Sequence, residues 1–248
     1  MGDHLDSPET KRSYNERIFS EIAPRYDFIT RALSFGQDGG WKRHLIEAFP
    51  VCREPFCLDL ACGTGDITRL LAQKYPRGRI IGLDITEPML VLARERNTHA
   101  NVQFVNQDMS SLGFESGTVD IVSGGYALRN APDLARTLGE IHRVLKPEGV
   151  AAFLDFSKLR GRRVQRRQYW ILKMWAGFWG VLLHRNHEVY AYIAESLDRF
   201  PDRDQLRFVL HEQGFAVAAS RLYFLGFIEL IVIRKCAPTE RAGHPGMK

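Results

Sequence analysis

The sequence has no long hydrophobic run. None of its 248 residues fall in a window of the roughly 18 uninterrupted apolar residues that a membrane span requires. Met1 to Arg12 is polar and charged and lacks the apolar core of a secretion signal, so the protein is expected to stay where it is made. Cysteine is scarce: four residues, at positions 52, 57, 62 and 236, form neither a CxxC pair nor the dense framework of a secreted scaffold. A reducing cytoplasm fits, and no metal is expected. Internal repeats are absent. The charge imbalance is small, 34 Lys and Arg against 29 Asp and Glu, or +5. Such an excess favours an anionic partner only weakly, and where the charge sits matters more than its sum.

The sequence does contain enough apolar residues, 45%, to bury one full core. From position 56, short apolar runs alternate with amphipathic stretches, the pattern of a parallel sheet with crossover helices. The runs are Phe56 to Ala61, Arg79 to Leu83, Val102 to Val105, Val119 to Gly124 and Val150 to Phe156. Helices are predicted at Ile67 to Tyr75, Pro88 to Asn97 and Leu134 to Leu145, the last ended by the turn Lys146-Pro147-Glu148-Gly149. After Ser157 the alternation stops, then resumes with a helix, Asp204 to Gln213, and two β-rich runs, Ala216 to Tyr223 and Phe227 to Arg234, spaced to form a hairpin at the sheet edge. The expected fold is therefore α/β: a mainly parallel seven-stranded sheet with an antiparallel edge strand and helices on both faces. One domain, 13–235, carries an N-terminal helical cap (13–50) and an insert (158–203), between mobile tails at 1–12 and 236–248.

The chemistry concentrates at the first strand. Leu58-Asp59-Leu60-Ala61-Cys62-Gly63-Thr64-Gly65-Asp66 ends a buried strand in a glycine turn and opens a helix, which in an open α/β sheet is where ligands bind. Gly63 and Gly65 allow a sharp turn and close approach to a ligand. A dinucleotide fingerprint would place a third glycine at position 68, which is Thr68. Asp59 beside the turn favours a ligand carrying positive charge, and S-adenosylmethionine offers two, its ammonium and its sulfonium. Asp84 ends the second strand, where an acidic residue reaches ribose hydroxyls. Ile85 follows it, and Asp108 after the third strand is placed to accept from an adenine amino group. Each Asp taken alone is as well explained as a helix cap or turn former. Three carboxylates on three successive strand ends favour the cofactor.

These residues resemble the ubiquinone and menaquinone biosynthesis C-methyltransferases, which have a Rossmann-like class I methyltransferase fold. The resemblance extends beyond the cofactor loop to Ala23-Pro24-Arg25-Tyr26-Asp27, Ser34-Phe35-Gly36, Trp41-Lys42-Arg43, Leu128-Arg129-Asn130, Asp155-Phe156-Ser157-Lys158, Tyr192-Ile193-Ala194-Glu195-Ser196 and Phe200-Pro201-Asp202. It implies that Thr64, Asp84, Asp108, Met109 and Gly125 are cofactor positions. Departures from the family pattern are Gly125, where serine is frequent, Cys62 for glycine, Asp155 for glutamate and Leu159 for proline.

The implied reaction is carbon methylation of a prenylated quinol, demethylmenaquinol or a ubiquinone precursor, with S-adenosylhomocysteine as the second product. A hydroquinone carbon becomes nucleophilic when a hydroxyl proton is drawn off, and the enzyme must hold carbon and methyl about 3 to 3.5 Å apart. Arg129 and Asn130 are the expected acceptor-site residues. Arginine stays protonated, so its role is to stabilise a phenolate or polarise a water. Tyr26 is expected to gate the cofactor or stack on the ring, and Asp27 is an alternative proton acceptor. The structural alternative is that Arg129 pairs with a carboxylate and Tyr26 packs in the core.

Residues 158–185 combine Lys158, Arg160, Arg162, Arg163, Arg166 and Arg167 with a Trp-rich apolar stretch too short to span. This composition suits an element lying on an anionic membrane surface, at the inner face of the membrane. A lid or a homodimer helix is the alternative. A nucleic-acid partner is not expected, because the strand-four segment Gly124-Gly125-Tyr126-Ala127-Leu128-Arg129-Asn130 is not the Asn/Asp-Pro-Pro-Tyr of exocyclic-amine methyltransferases. Two rival functions stay open: methylation of another small molecule or natural product, and a non-catalytic cofactor-binding scaffold.

Overall fold

The computed structural model describes residues 7–184 and 188–236. Seven strands form one sheet: β1 (Phe56–Leu60), β2 (Arg79–Asp84), β3 (Val102–Asn106), β4 (Val119–Gly125), β5 (Leu145–Phe156), β6 (Phe215–Tyr223) and β7 (Ile228–Lys235). Their order is β3-β2-β1-β4-β5-β7-β6. β7 is antiparallel to both β5 and β6, so the reversed strand lies one position in from the edge. β5 starts earlier than Val150 because Leu145 pairs with Val119 ahead of the Lys146-to-Gly149 turn, and the register then breaks.

The central strands are buried on both faces, as parallel sheets require. Alternate residues point opposite ways, so Leu58 and Leu60 pack on one face with Leu138 and Ile141 of α6 (Leu134–Val144) and Leu206 and Leu210 of α9 (Arg203–Glu212). Cys57 and Ile80 pack on the other with Leu45 of α3 (Asp38–Glu47) and Leu71 of α4 (Asp66–Lys74). The chain order reverses between β1, which pairs with β2 on one side, and β4 on the other. A crevice at the carboxyl ends is the consequence.

A third core lies outside the sheet. Ile22 of α1 (Pro8–Ile22), Ile29 of α2 (Tyr26–Leu33), Met89 of α5 (Glu87–Arg96) and Ala176 of α7 (Arg162–His184) meet there, with Ile193 of α8 (Glu188–Arg199) against them. α7 and α8 are the insert expected at 158–203. α1 begins at Pro8, within the stretch expected to be a tail, because Ser7 and Thr10 cap it reciprocally and proline occupies its first turn. The remainder of the expected tails, 1–6 and 237–248, lies outside the described residues.

Candidate functional site

The loop after β1 turns through three left-handed residues, Ala61, Gly63 and Gly65. A Cβ on Gly65 would lie 3.1 Å from the Phe104 ring, on top of an unfavourable φ of +82°. Asp84 fastens this loop to the end of β2: Gly63 N–H donates to its Oδ2 at 2.9 Å and Thr86 N–H to its Oδ1 at 2.9 Å. Burial nonetheless pushes its carboxyl above the usual range, the accepted hydrogen bonds opposing the shift. The resulting cleft is lined by Gly63, Asp84, Ile85, Asp108, Met109 and Gly125, six of the nine expected cofactor positions. At Gly125 a Cβ would fall 2.6 Å from Ile67 Cδ1, the movable end of a flexible side chain.

The other three expected positions are not on the cleft wall. Gly65 shapes the turn. Thr64 Oγ1 donates to Asp27 Oδ1 at 2.7 Å. Asp59 is a correction: it is fully buried beneath the loop, where Thr68 and Ser123 hydroxyls donate to its two oxygens at 2.6 and 2.7 Å. Burial raises its carboxyl to about 6. Alternation along β1 puts it on the face opposite Leu58 and Leu60, under α4. Asp108 faces the cleft, but there its Oδ2 meets Arg12 of α1 at 3.3 Å, while Ser110 N–H and Oγ bond its Oδ1.

Beside the cleft lies an apolar cavity of about 480 Å³. α1, α2, α7, α8 and the turn between β6 and β7 enclose it, through residues such as Ile22, Ile29, Leu33, Trp175 and Ile193. Phe19, Tyr26, Tyr126 and Asn130 line both spaces and so form their common wall. Burial pushes the Tyr26 phenol up to about 12, and it stays neutral.

Arg129 is 4% exposed and also lines the cavity. Its guanidinium lies over Phe156 and Tyr192, 5.2 and 5.8 Å from the ring centres, hydrogen-bonds to Ser196 Oγ, and has Nε 3.5 Å from Asp155 Oδ1. The carboxylate pair expected as the structural alternative is present, yet Nε is buried without a hydrogen bond. Asn130 is fixed by its neighbours: Tyr192 OH donates to its Oδ1 at 2.9 Å, and its Nδ2 donates to Tyr126 O at 2.8 Å. Asp27, expected as a proton acceptor, lines neither space. Thr64 and Arg96 occupy its oxygens, which makes it a tie between α2, the glycine loop and α5.

Sequence reasoning missed Asn15, Phe19, Tyr126 and Tyr192 as wall residues. One signal was available: Tyr14, Asn15, Ile18 and Ile22 follow a helical stripe, so Asn15 is a polar residue on a buried face and must have partners. It does, donating to Asn130 O and accepting from Tyr192.

A family model described as the ubiE/COQ5 methyltransferase family matches residues 7–231. The demethylmenaquinone methyltransferase of Thermotoga maritima is 34% identical over 209 residues, 84% of this chain and 90% of that protein. The 2-phytyl-1,4-naphtoquinone methyltransferase of Thermosynechococcus vestitus is 34% identical over 206 residues, 81% and 89% of the two chains. Among solved structures, a methyltransferase in complex with the Trm112 methyltransferase activator of Haloferax volcanii superposes with a TM-score of 0.66, covering 88% of this chain and 98% of its own. At 19% identity that likeness speaks for the fold alone.

Proposed function

Because this chain belongs to the ubiE/COQ5 methyltransferase family, we propose that it transfers a methyl group from S-adenosylmethionine to a ring carbon of a prenylated quinol. The similar demethylmenaquinone methyltransferases favour demethylmenaquinol over a ubiquinone precursor. The observation that carries the reading is the shared wall. A cleft with strand-end carboxylates and an apolar cavity of about 480 Å³ meet at Phe19, Tyr26, Tyr126 and Asn130.

The cleft residues fit the cofactor: acceptor oxygens of Asp84 and Asp108 alternate with the apolar walls Ile85, Met89 and Met109, as a nucleoside requires. Asp84 would hold the ribose hydroxyls and Asp108 with Met109 the adenine, in exchange for the Arg12 pair. Bound there, S-adenosylmethionine supplies a methyl group made electrophilic by its sulfonium. On the acceptor side Arg129 is a fixed positive charge in a low-dielectric wall, where it stabilises the oxyanion of a deprotonated quinol. Asn130, held by Tyr192 and by the Tyr126 carbonyl, orients the ring, and Tyr26 covers the glycine turn.

The tail of the quinol points to α7. Trp170, Ile171, Met174, Phe178, Val181 and Leu182 are exposed at helical spacing, downstream of five arginines between 160 and 167. Leu172 and Trp175 of the same helix line the cavity. One helix thus presents an outer apolar face and an inner wall, which suits an anionic membrane surface better than bulk water. Among the described residues no helix is long and apolar enough to cross a membrane. Flotation with anionic and with neutral liposomes tests this contact: binding to the anionic set is expected, and recovery in the unbound fraction from both sets would end the membrane role.

Incubation with methyl-labelled S-adenosylmethionine and reduced demethylmenaquinone, followed by mass spectrometry, tests the reaction. A labelled C-methyl quinone is expected. Cofactor binding with no transfer to this acceptor or to a ubiquinone precursor would leave the rival acceptors or the scaffold reading.

A further inference from the structure

The acceptor cavity contains no base. Among the described residues, no carboxylate and no imidazole lines it, and Arg129 holds its proton too firmly to accept one. If the quinol must lose a hydroxyl proton there, as the reading above requires, a hydroxyl of the wall whose own bond leads to a titratable group offers it an exit; the hydroxyls of Thr30 and Ser34 end on backbone carbonyls. Tyr192 is unsuited, since its one hydroxyl proton faces the amide oxygens of Asn15 and Asn130, which accept a hydrogen bond but take up no proton. Tyr126 is different. Its hydroxyl donates to Asp38 Oδ1 at 2.6 Å. Asp38 Oδ2 lies 2.6 Å from Lys42 Nζ, and the same Nζ lies 3.0 Å from Asp66 Oδ2. Side-chain exposure runs 10%, 9% and 34% along Asp38, Lys42 and Asp66, so the chain starts in the buried wall and ends at a partly exposed carboxylate, whose Oδ1 accepts from Arg69 at 2.6 Å.

Two features set this row of groups apart from ordinary packing. Tyr126 lines both the cofactor cleft and the cavity, and it is held at a φ of +59°, which an L side chain rarely adopts, by its N–H bond to Leu154 O at 2.6 Å. A buried Asp–Lys pair is also a poor source of stability, because desolvation of the two charges offsets their attraction.

We propose that Tyr126, Asp38, Lys42 and Asp66 form a relay that carries the quinol hydroxyl proton out of the cavity to solvent. The quinol O–H bond breaks and its proton forms a new O–H bond on Tyr126. The electron pair of the broken bond stays on the quinol oxygen and feeds the ring. Tyr126 gives its own proton to Asp38. Lys42, whose ammonium Asp38 and Asp66 hold above its ordinary range, never rests deprotonated: it takes that proton only as it releases one of its three to Asp66, and Asp66 delivers it to water. Every relay group ends in the state in which it began, and one proton has left. Burial and the neighbouring Asp38 charge push the Tyr126 phenol well above its ordinary range, so it rests protonated and acts as a conduit rather than as the final base. Tyr126 is the catalytic residue of the four, and the other three act through it.

The proposal rests on the quinol reading, so the wild-type enzyme must first be seen to methylate reduced demethylmenaquinone; no product would defeat that reading and this one with it. Given turnover, Tyr126→Phe removes only the hydroxyl. The expected result is a fall in kcat of about 10²- to 10³-fold, in the range of lost acid–base assistance, with KM and cofactor affinity by calorimetry unchanged. Asp38→Asn should fall similarly and Asp38→Glu should recover part of the rate. In D2O the wild type should slow, and Tyr126→Phe should not share that solvent isotope effect. A Tyr126→Phe enzyme that turns over at the wild-type rate, or that is slower but keeps the full isotope effect, would overturn the relay while leaving the quinol reading intact.

Discussion

The cofactor cleft and the apolar cavity adjoin each other but are built by different means. The cleft is assembled mainly at the ends of β1 to β4, each contributing two to four residues at or just after the end of the strand, with Asn15, Phe19 and Tyr26 of α1 and α2 across from them. Some of its polar contacts are short-range, as with Asp84 and Thr86 or Asp108 and Ser110, and others tie it to the neighbouring loop and helix, as with Asp84 and Gly63 or Asp108 and Arg12. The cavity is assembled from helices and a turn spread from Ile18 to Ile228, and its walls meet only because α7 and α8 fold back over α1 and α2. Their sizes differ accordingly, about 50 Å³ against about 480 Å³. α1 and α2 hold the smaller space closed through Arg12–Asp108 and Thr64–Asp27. A cofactor shared by many acceptors is bound by backbone geometry and a few carboxylates. On the proposed reading, the acceptor is selected by helix packing laid on top.

The comparison is tested most severely by two substitutions, one on each side. Asp84→Ala leaves two buried N–H groups without an acceptor, at about 1–3 kcal/mol each. It should lower cofactor affinity by at least 10-fold in calorimetry and abolish methyl transfer as a consequence. Arg129→Gln removes the charge in the cavity wall and should cost about 10²- to 10³-fold in turnover while leaving cofactor affinity near wild type. Were the Arg129 variant to lose the cofactor as well, the two regions would be one site and the comparison would be wrong.

The smallest effect concerns the strap between them. Lys11 of α1 donates to the carbonyls of Arg129 and Ala131. Burial, with repulsion from Arg129 second, lowers its ammonium to about 8. Its charged form is therefore disfavoured in the folded state. Between about 8 and the ordinary 10.5 the unfolded chain binds more protons, so stability rises with pH across that window. Lys11→Met should flatten this rise relative to wild type in thermal unfolding followed from pH 7 to 10.5. An equal slope in both proteins would mean that α1 is not packed on the Arg129 segment as described.

The cofactor side was largely legible in the sequence because its chemistry follows a local rule. A strand, a turn and a small or acidic residue recur at each crossover, and six of nine expected positions line the cleft. Asp59 failed that rule for a physical reason. Side chains alternate along a strand, and Asp59 falls on the face opposite Leu58 and Leu60, where hydroxyls of Thr68 and Ser123 receive it beneath α4. Asp27 failed differently. Its neighbour Tyr26 faces the cavity, but Asp27 is turned outward to Thr64 and Arg96. Asp38 carried no signal as a partner for Tyr126, since 88 residues separate them.

By itself the sequence determined the α/β alternation, the glycine turn, the carboxylates after the strands and the resemblance to the quinone methyltransferases, since these depend on residues near one another along the chain. Tertiary structure alone decided which carboxylates face the cleft, how large the apolar cavity is, and that Tyr126, Asp38, Lys42 and Asp66 stand in a row. Those properties depend on which side of each element faces its neighbour and on loops closed across tens of residues, and no local pattern specifies them.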